Sequence, residues 1–193
     1  MVQARDRTTP VAESPLTLAE FLEQPETKPA SEFIRGKIQQ KPMPKGKHSY
    51  LQLGLAGIIN AALRKARIAR PGPELRCTFG GRSIVPDIAV FEWDNIPRDQ
   101  DGSVADAFDR APDWTIEIMS PDQSPLRSTR NILHCLDHGC AMGWLIVPED
   151  LSVVVYEPTR TQCFDKPGDS LPVPEFAGDL EITIQDLMDC LQD

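Results

Sequence analysis

A chain of 193 residues, 40% hydrophobic and 25% charged, is long enough for one compact domain with a buried core and too short for two ordinary ones. No apolar run approaches the roughly 20 residues that cross a bilayer, and the N-terminus MVQARDRTTPVAESP lacks the apolar stretch of an export signal, so a cytoplasmic protein is expected. A net charge of −9 counts against a general nucleic-acid binder, yet ten of the 20 basic residues fall between Arg35 and Arg76 against one acid, Glu74. That segment is either a solvated face or a patch that tracks phosphates. Five cysteines without a CxxC pair indicate neither a disulfide framework nor a cysteine zinc site.

Residues 1–14 are polar and aperiodic, which predicts a disordered tail ahead of a single domain over 15–193. Thr17 and Glu20 make a capping box, stapled by Leu16 and Phe21, for a short helix reaching Gln24 and stopped by Pro25. Residues 32–38 read as a hairpin turning at Arg35-Gly36, followed by a Pro/Gly/Lys loop over 42–47. Leu51, Leu55, Ile58, Ile59, Ala62 and Leu63 carry the spacing of an amphipathic helix over 48–66, and Pro71-Gly72-Pro73 stops it. Strands are predicted over 75–79, 83–91 and 114–119, with an acidic loop between the last two. A helix over 126–138 ends at Gly139, a hairpin pairs 144–147 with 151–156, and a strand over 180–184 precedes a short helix over 185–191. Pro86 cannot donate to a ladder, so it should bend the chain just before Asp87.

Two of these strands carry one carboxylate each inside an apolar run: SIVPDIAVF holds Asp87, and WTIEIM holds Glu117. Alternation puts Thr115, Glu117 and Met119 on one face and Trp114, Ile116 and Ile118 on the other. Carboxylates brought together on neighbouring strands repel unless a hard cation sits between them, and Mg²⁺ takes one or two carboxylates, several waters and substrate phosphates. The pattern therefore points to a metal-dependent phosphodiesterase site. Repulsion alone also predicts that neutralising either acid leaves the metal-free protein as stable as before or more so. His134 and His138 have the i, i+4 spacing of a zinc pair, but Cys135 stands where HExxH has its glutamate. Trp114 and Trp144 lie in strands and are expected to pack in the core.

The segments EFIRG (32–36), His48, SIVPDIAVF (83–91), WTIEIMSP (114–121) and NILHCLDHGCAMGWLIV (131–147) together resemble the Uma-type (Uma-two) endonuclease family of the PD-(D/E)xK restriction-endonuclease-like superfamily. The resemblance covers about residues 16–157. It implies an α/β restriction-endonuclease-like core, a central mixed β-sheet flanked by helices, with Asp87 and Glu117 as ligands of Mg²⁺ (Mn²⁺ as an alternative) and Glu32 as a third acidic group. It also implies DNA, double- or single-stranded, as substrate, and a homodimer would suit cutting both strands. The superfamily's lysine two residues after the glutamate is Met119 here, and the helix position that often supplies one instead is Asn131. Arg127 and Arg130 are the nearby cations; Arg127 is assigned the phosphate clamp, because an always-protonated guanidinium is a poor general base. The alternative is a degenerate nuclease fold serving as a binding or assembly module.

Overall fold

A capping box opens the first helix. In the computed structural model, which describes residues 16–121 and 123–192, the Glu20 N–H donates to the Thr17 hydroxyl and the Thr17 N–H donates to the Glu20 carboxylate, starting α1 (Leu18–Leu22). The tail expected over residues 1–14 lies outside the described residues. Arg35 and Gly36 then take φ of 53° and 75°, the left-handed conformation of a two-residue hairpin turn. This turn joins β1 (Ser31–Ile34) to β2 (Lys37–Gln40) and fixes their register, pairing Glu32 with Gln39 and Ser31 with Gln40.

Helix α2 (Gly46–Leu63) buries His48, Leu51, Leu55, Ile59 and Leu63 along one stripe. Each large aliphatic side chain so buried contributes roughly 1.5–3 kcal/mol. The ARPGP segment after it does more than stop a helix. It forms β3 (Ala69–Pro73), paired on one side only, so Pro71 and Pro73 are tolerated at a sheet edge. Next come β4 (Cys77–Phe79), β5 (Arg82–Ile84) and β6 (Ile88–Glu92). The strand expected over 83–91 is thus two strands in two different sheets, broken at Val85-Pro86-Asp87.

Strand β7 (Trp114–Ile118) leads into α3 (Pro125–Leu136), followed by β8 (Met142–Val147), β9 (Ser152–Glu157), β10 (Arg160–Phe164) and α4 (Ile184–Asp189). The polar strand β10 carried no hydrophobic signal. The segment over 180–184 is not a strand: Leu180 and Ile182 are buried alternately, but only an isolated bridge, Ser170 to Thr183, forms there.

The fold is α/β, with a six-stranded mixed sheet in the order β10-β9-β8-β7-β6-β3 and a four-stranded sheet in the order β2-β1-β5-β4. Only β7 and β8 run parallel in the larger sheet. One face of β7, Trp114, Ile116 and Ile118, joins the main core with α2 and α4. The opposite face meets α3, with Met119, Ile132 and Leu145 in a separate cluster. Gly143 lets α3 approach closely, since a Cβ there would lie 2.3 Å from Ile132 Cγ2. Trp114 and Trp144 pack edge to face at 4.8 Å in the core. Among the described residues no helix is long and apolar enough to cross a membrane.

Candidate active site

The break at Pro86 turns a sheet strand into a site. Beyond the pair Ile88 and Ile116, one further step of the antiparallel β6–β7 register sets Asp87 opposite Glu117. Backbone groups that leave the ladder at the break are satisfied by side chains, as buried amides and carbonyls must be. The Val85 N–H donates to Glu32 Oε1 at 3.0 Å, Lys41 Nζ donates to the Val85 carbonyl at 2.7 Å, and Gln52 Nε2 donates to the Asp87 carbonyl at 2.7 Å.

Asp87, Glu117 and Glu32 are each only 1% exposed. Asp87 Oδ2 accepts from the Ile118 N–H at 2.6 Å, while Oδ1 lies 2.5 Å from Lys41 Nζ and 3.4 Å from His48 Nε2. Lys41 Nζ is also 3.8 Å from Glu117 Oε2. Among the described residues Glu117 Oε1 is buried without a hydrogen-bond partner. His48 Nδ1 and the Ser120 hydroxyl are 3.5 Å apart. A cleft of about 380 Å³ reaches Asp87, Lys41, His48 and Ser120.

The two acids are driven apart. Burial alone would raise Asp87, but Lys41 and His48 outweigh it and hold its carboxyl down at about 2. Burial pushes Glu117 up to about 8, with Asp87 and Glu32 adding to the rise and Lys41 opposing it. Burial works against the charge of Lys41, yet the three surrounding carboxylates, led by Asp87, raise its pKa and keep it an ammonium.

The expected residues Glu32, Asp87, Glu117 and Arg127 do come together, but not in equal roles. Glu32 is tied on both oxygens: Arg127 Nη2 donates to Oε2 at 2.8 Å, and Asn131 Nδ2 reaches Oε1 at 3.2 Å beside the Val85 N–H. Arg127 also donates to the carbonyls of Gln39 and Gln40 at 3.1 and 2.8 Å. It therefore braces the hairpin against α3 while holding Glu32.

Lys41 is the residue that reading the sequence missed, because a lysine after a polar strand looks solvated. The signal was in the hairpin. Glu32 faces the same side as its partner Gln39, and Lys41, two residues further on, faces that side again. The basic segment over 35–76 does not form one patch: Lys41 enters this site, Arg76 pairs with Glu26 at 2.7 Å, and Arg64, Lys65 and Arg67 line a different cavity with Trp93. His134 and His138 do not build a zinc pair. His134 donates from Nε2 to the Phe79 carbonyl and stacks on the Phe79 ring at 4.7 Å, and His138 uses Nδ1 toward the His134 carbonyl. Among the described residues no three His, Cys, Asp or Glu side chains form a ready-made metal shell.

An acid pair where a bent strand meets its neighbour, inside a helix-flanked mixed sheet, defines the restriction-endonuclease-like class. Within that class the chain belongs to the Uma2 family, described as "Putative restriction endonuclease", whose model matches residues 18–185. It is also similar, at 56% identity and a TM-score of 0.90, to the crystal structure of a "putative nuclease belonging to DUF820" from Anabaena variabilis; the match covers 92% of this chain and 99% of that one. No curated protein matches.

Proposed function

We propose that the chain is a Mg²⁺-dependent endonuclease hydrolysing DNA phosphodiester bonds, with Asp87 and Glu117 holding the metal and Mn²⁺ as an alternative ion. The observation that carries this reading is the buried Asp87–Glu117 pair around a single ammonium, with one carboxylate oxygen left orphaned. The donor set fits a hard divalent cation, which takes one or two carboxylates and fills its remaining positions with water and substrate phosphate. When bound, such an ion supplies an activated water and stabilises charge on the scissile phosphate.

The chain's own groups do the rest. Asp87 is ionised well below neutral pH and is oriented by the Ile118 N–H. Lys41, held as an ammonium by the surrounding carboxylates, neutralises charge on a phosphate oxygen and replaces the basic residue absent at Met119 and Asn131. Glu32, with both oxygens engaged, acts as a positioning residue that anchors the backbone two residues before Asp87. Cutting both strands with one site per chain calls for a homodimer, which light scattering reads directly.

A second reading, a degenerate nuclease fold working as a binding or assembly module, draws on Lys41 as well, because its ammonium already neutralises Asp87 without a metal. Calorimetric titration with MgCl₂ separates the two. A saturable site in the wild type that disappears in Glu117→Gln supports the enzyme, and a wild type that binds neither Mg²⁺ nor Mn²⁺ supports the module.

A further inference from the structure

Around Arg127 and Asn131, which hold Glu32, five cations converge. Arg35 from the hairpin turn, Lys37 from β2, Arg82 from β5, and Arg127 and Arg130 from α3 line a cavity of about 200 Å³ together with Asn131, and no acidic side chain lines it. Arg127 is committed to Glu32 and two carbonyls. The side chains of Arg35, Lys37, Arg82 and Arg130 have no ion pair or hydrogen bond among the described residues.

Cations placed this close repel one another. Burial first, and then Arg35, lower the pKa of Arg82, against the opposing charge of Asp137. Arg35 also stands at a φ of 53°, a turn position that favours Asn or Gly. An arginine there works against local preference and puts a guanidinium at the cavity. The concentration of positive charge calls for an anion, and a space below the roughly 300–1,000 Å³ of small-molecule pockets suits a phosphate group with its waters better than a nucleotide. The cavity is joined to the acid pair through shared residues: Arg127 and Asn131 line it and also hold Glu32, which holds Val85.

We infer that this cavity grips a non-scissile backbone phosphate of the DNA strand whose neighbouring phosphodiester is cut at Lys41, Asp87 and Glu117. The inference rests on the nuclease reading and adds to it the side from which the strand enters. Phosphate contacts of this kind position the strand without reading sequence.

Binding of a short fluorescein-labelled DNA duplex, followed by anisotropy across a KCl series with Ca²⁺ in place of Mg²⁺, tests it. The triple variant Arg35→Ala/Arg82→Ala/Arg130→Ala should bind at least about tenfold more weakly, with the slope of log K against log[KCl] reduced by about 1, the loss of one neutralised phosphate. The control Arg64→Ala/Lys65→Ala, in a different cavity, should keep the wild-type slope. A triple variant with the wild-type slope overturns the cavity's role and leaves the nuclease reading standing. Loss of inorganic phosphate binding by calorimetry with the DNA slope unchanged would mark a free-anion site and likewise overturn it. A wild type that binds no duplex even at low salt removes both readings.

Discussion

Neutralising the two acids one at a time should have opposite effects on the metal-free protein. Repulsion between like charges predicts that Asp87→Asn and Glu117→Gln are equally harmless, but the partners of the two carboxylates differ. Asp87 is the main counter-charge of a buried ammonium and accepts from the Ile118 N–H and His48. Its neutralisation strands Lys41, a change of the kind that costs about 3–5 kcal/mol when one partner of a buried ion pair is removed. For a protein of this length that corresponds to a fall in Tm of roughly 6–20 °C. Glu117 has an orphaned oxygen and a charge that burial and Asp87 both oppose. Glu117→Gln should therefore leave Tm unchanged or raise it, by up to the roughly 1–3 kcal/mol that an unsatisfied buried group costs. Thermal melts in EDTA at pH 7, repeated with Mg²⁺, read both effects, and only the wild type should be stabilised by the metal. Equal losses in the two variants would refute the assignment of Lys41 to Asp87, and a large loss in Glu117→Gln would mean that its charge serves the fold.

Lys41→Met should lower stability in EDTA by about 3–5 kcal/mol by leaving Asp87 unpaired and should abolish cleavage even where Mg²⁺ restores the melting temperature; urea titration and plasmid nicking check the two parts. Gly143→Ala should cost about 1–3 kcal/mol by overpacking against Ile132, with the added Cβ 2.3 Å from Ile132 Cγ2, and nicking should slow because α3 carries Arg127 and Asn131. His134 supplies a pH dependence. Burial, then Arg82 and His138, lower its pKa to about 4 from 6.5, against the opposing Phe79 carbonyl and Asp137. The unfolded chain therefore takes up a proton that the folded one refuses between pH 6.5 and about 4. Stability contributed by neutral His134 is full above that window, falls as pH drops through it and levels off below. Urea midpoints of the wild type should decline more steeply there than those of His134→Gln, and parallel curves would contradict the assignment.

Much of the fold was legible because its elements announce themselves locally. The capping box at Thr17, the turn at Arg35-Gly36, the stripe on α2 and the apolar strand around Glu117 all form as expected, whereas the run around Asp87 is split between two sheets. What escaped depended on neighbours far away in sequence. β3 is an edge strand despite two prolines because only one of its sides is paired, and β10 is held by its ladder to β9 rather than by burial. The alternation over 180–184 was genuine burial, but in the main core rather than as a strand of the sheet. At the site, the acids could be found because a charge in an apolar strand is conspicuous, whereas Lys41 is conspicuous only once the hairpin register is carried two residues past Gln39. Glu32 carried no comparable signal of its own. Its tie to Arg127, 95 residues away, exists only in the folded chain.

The most direct measurement is the nicking of supercoiled plasmid by the wild type and Glu117→Gln across a Mg²⁺ series, with EDTA as the blank. The account predicts nicked and then linear product that rises with Mg²⁺ in the wild type, vanishes in EDTA and is absent from a folded Glu117→Gln. Nicking by Glu117→Gln at the wild-type rate, or none by the wild type with either Mg²⁺ or Mn²⁺, would contradict it.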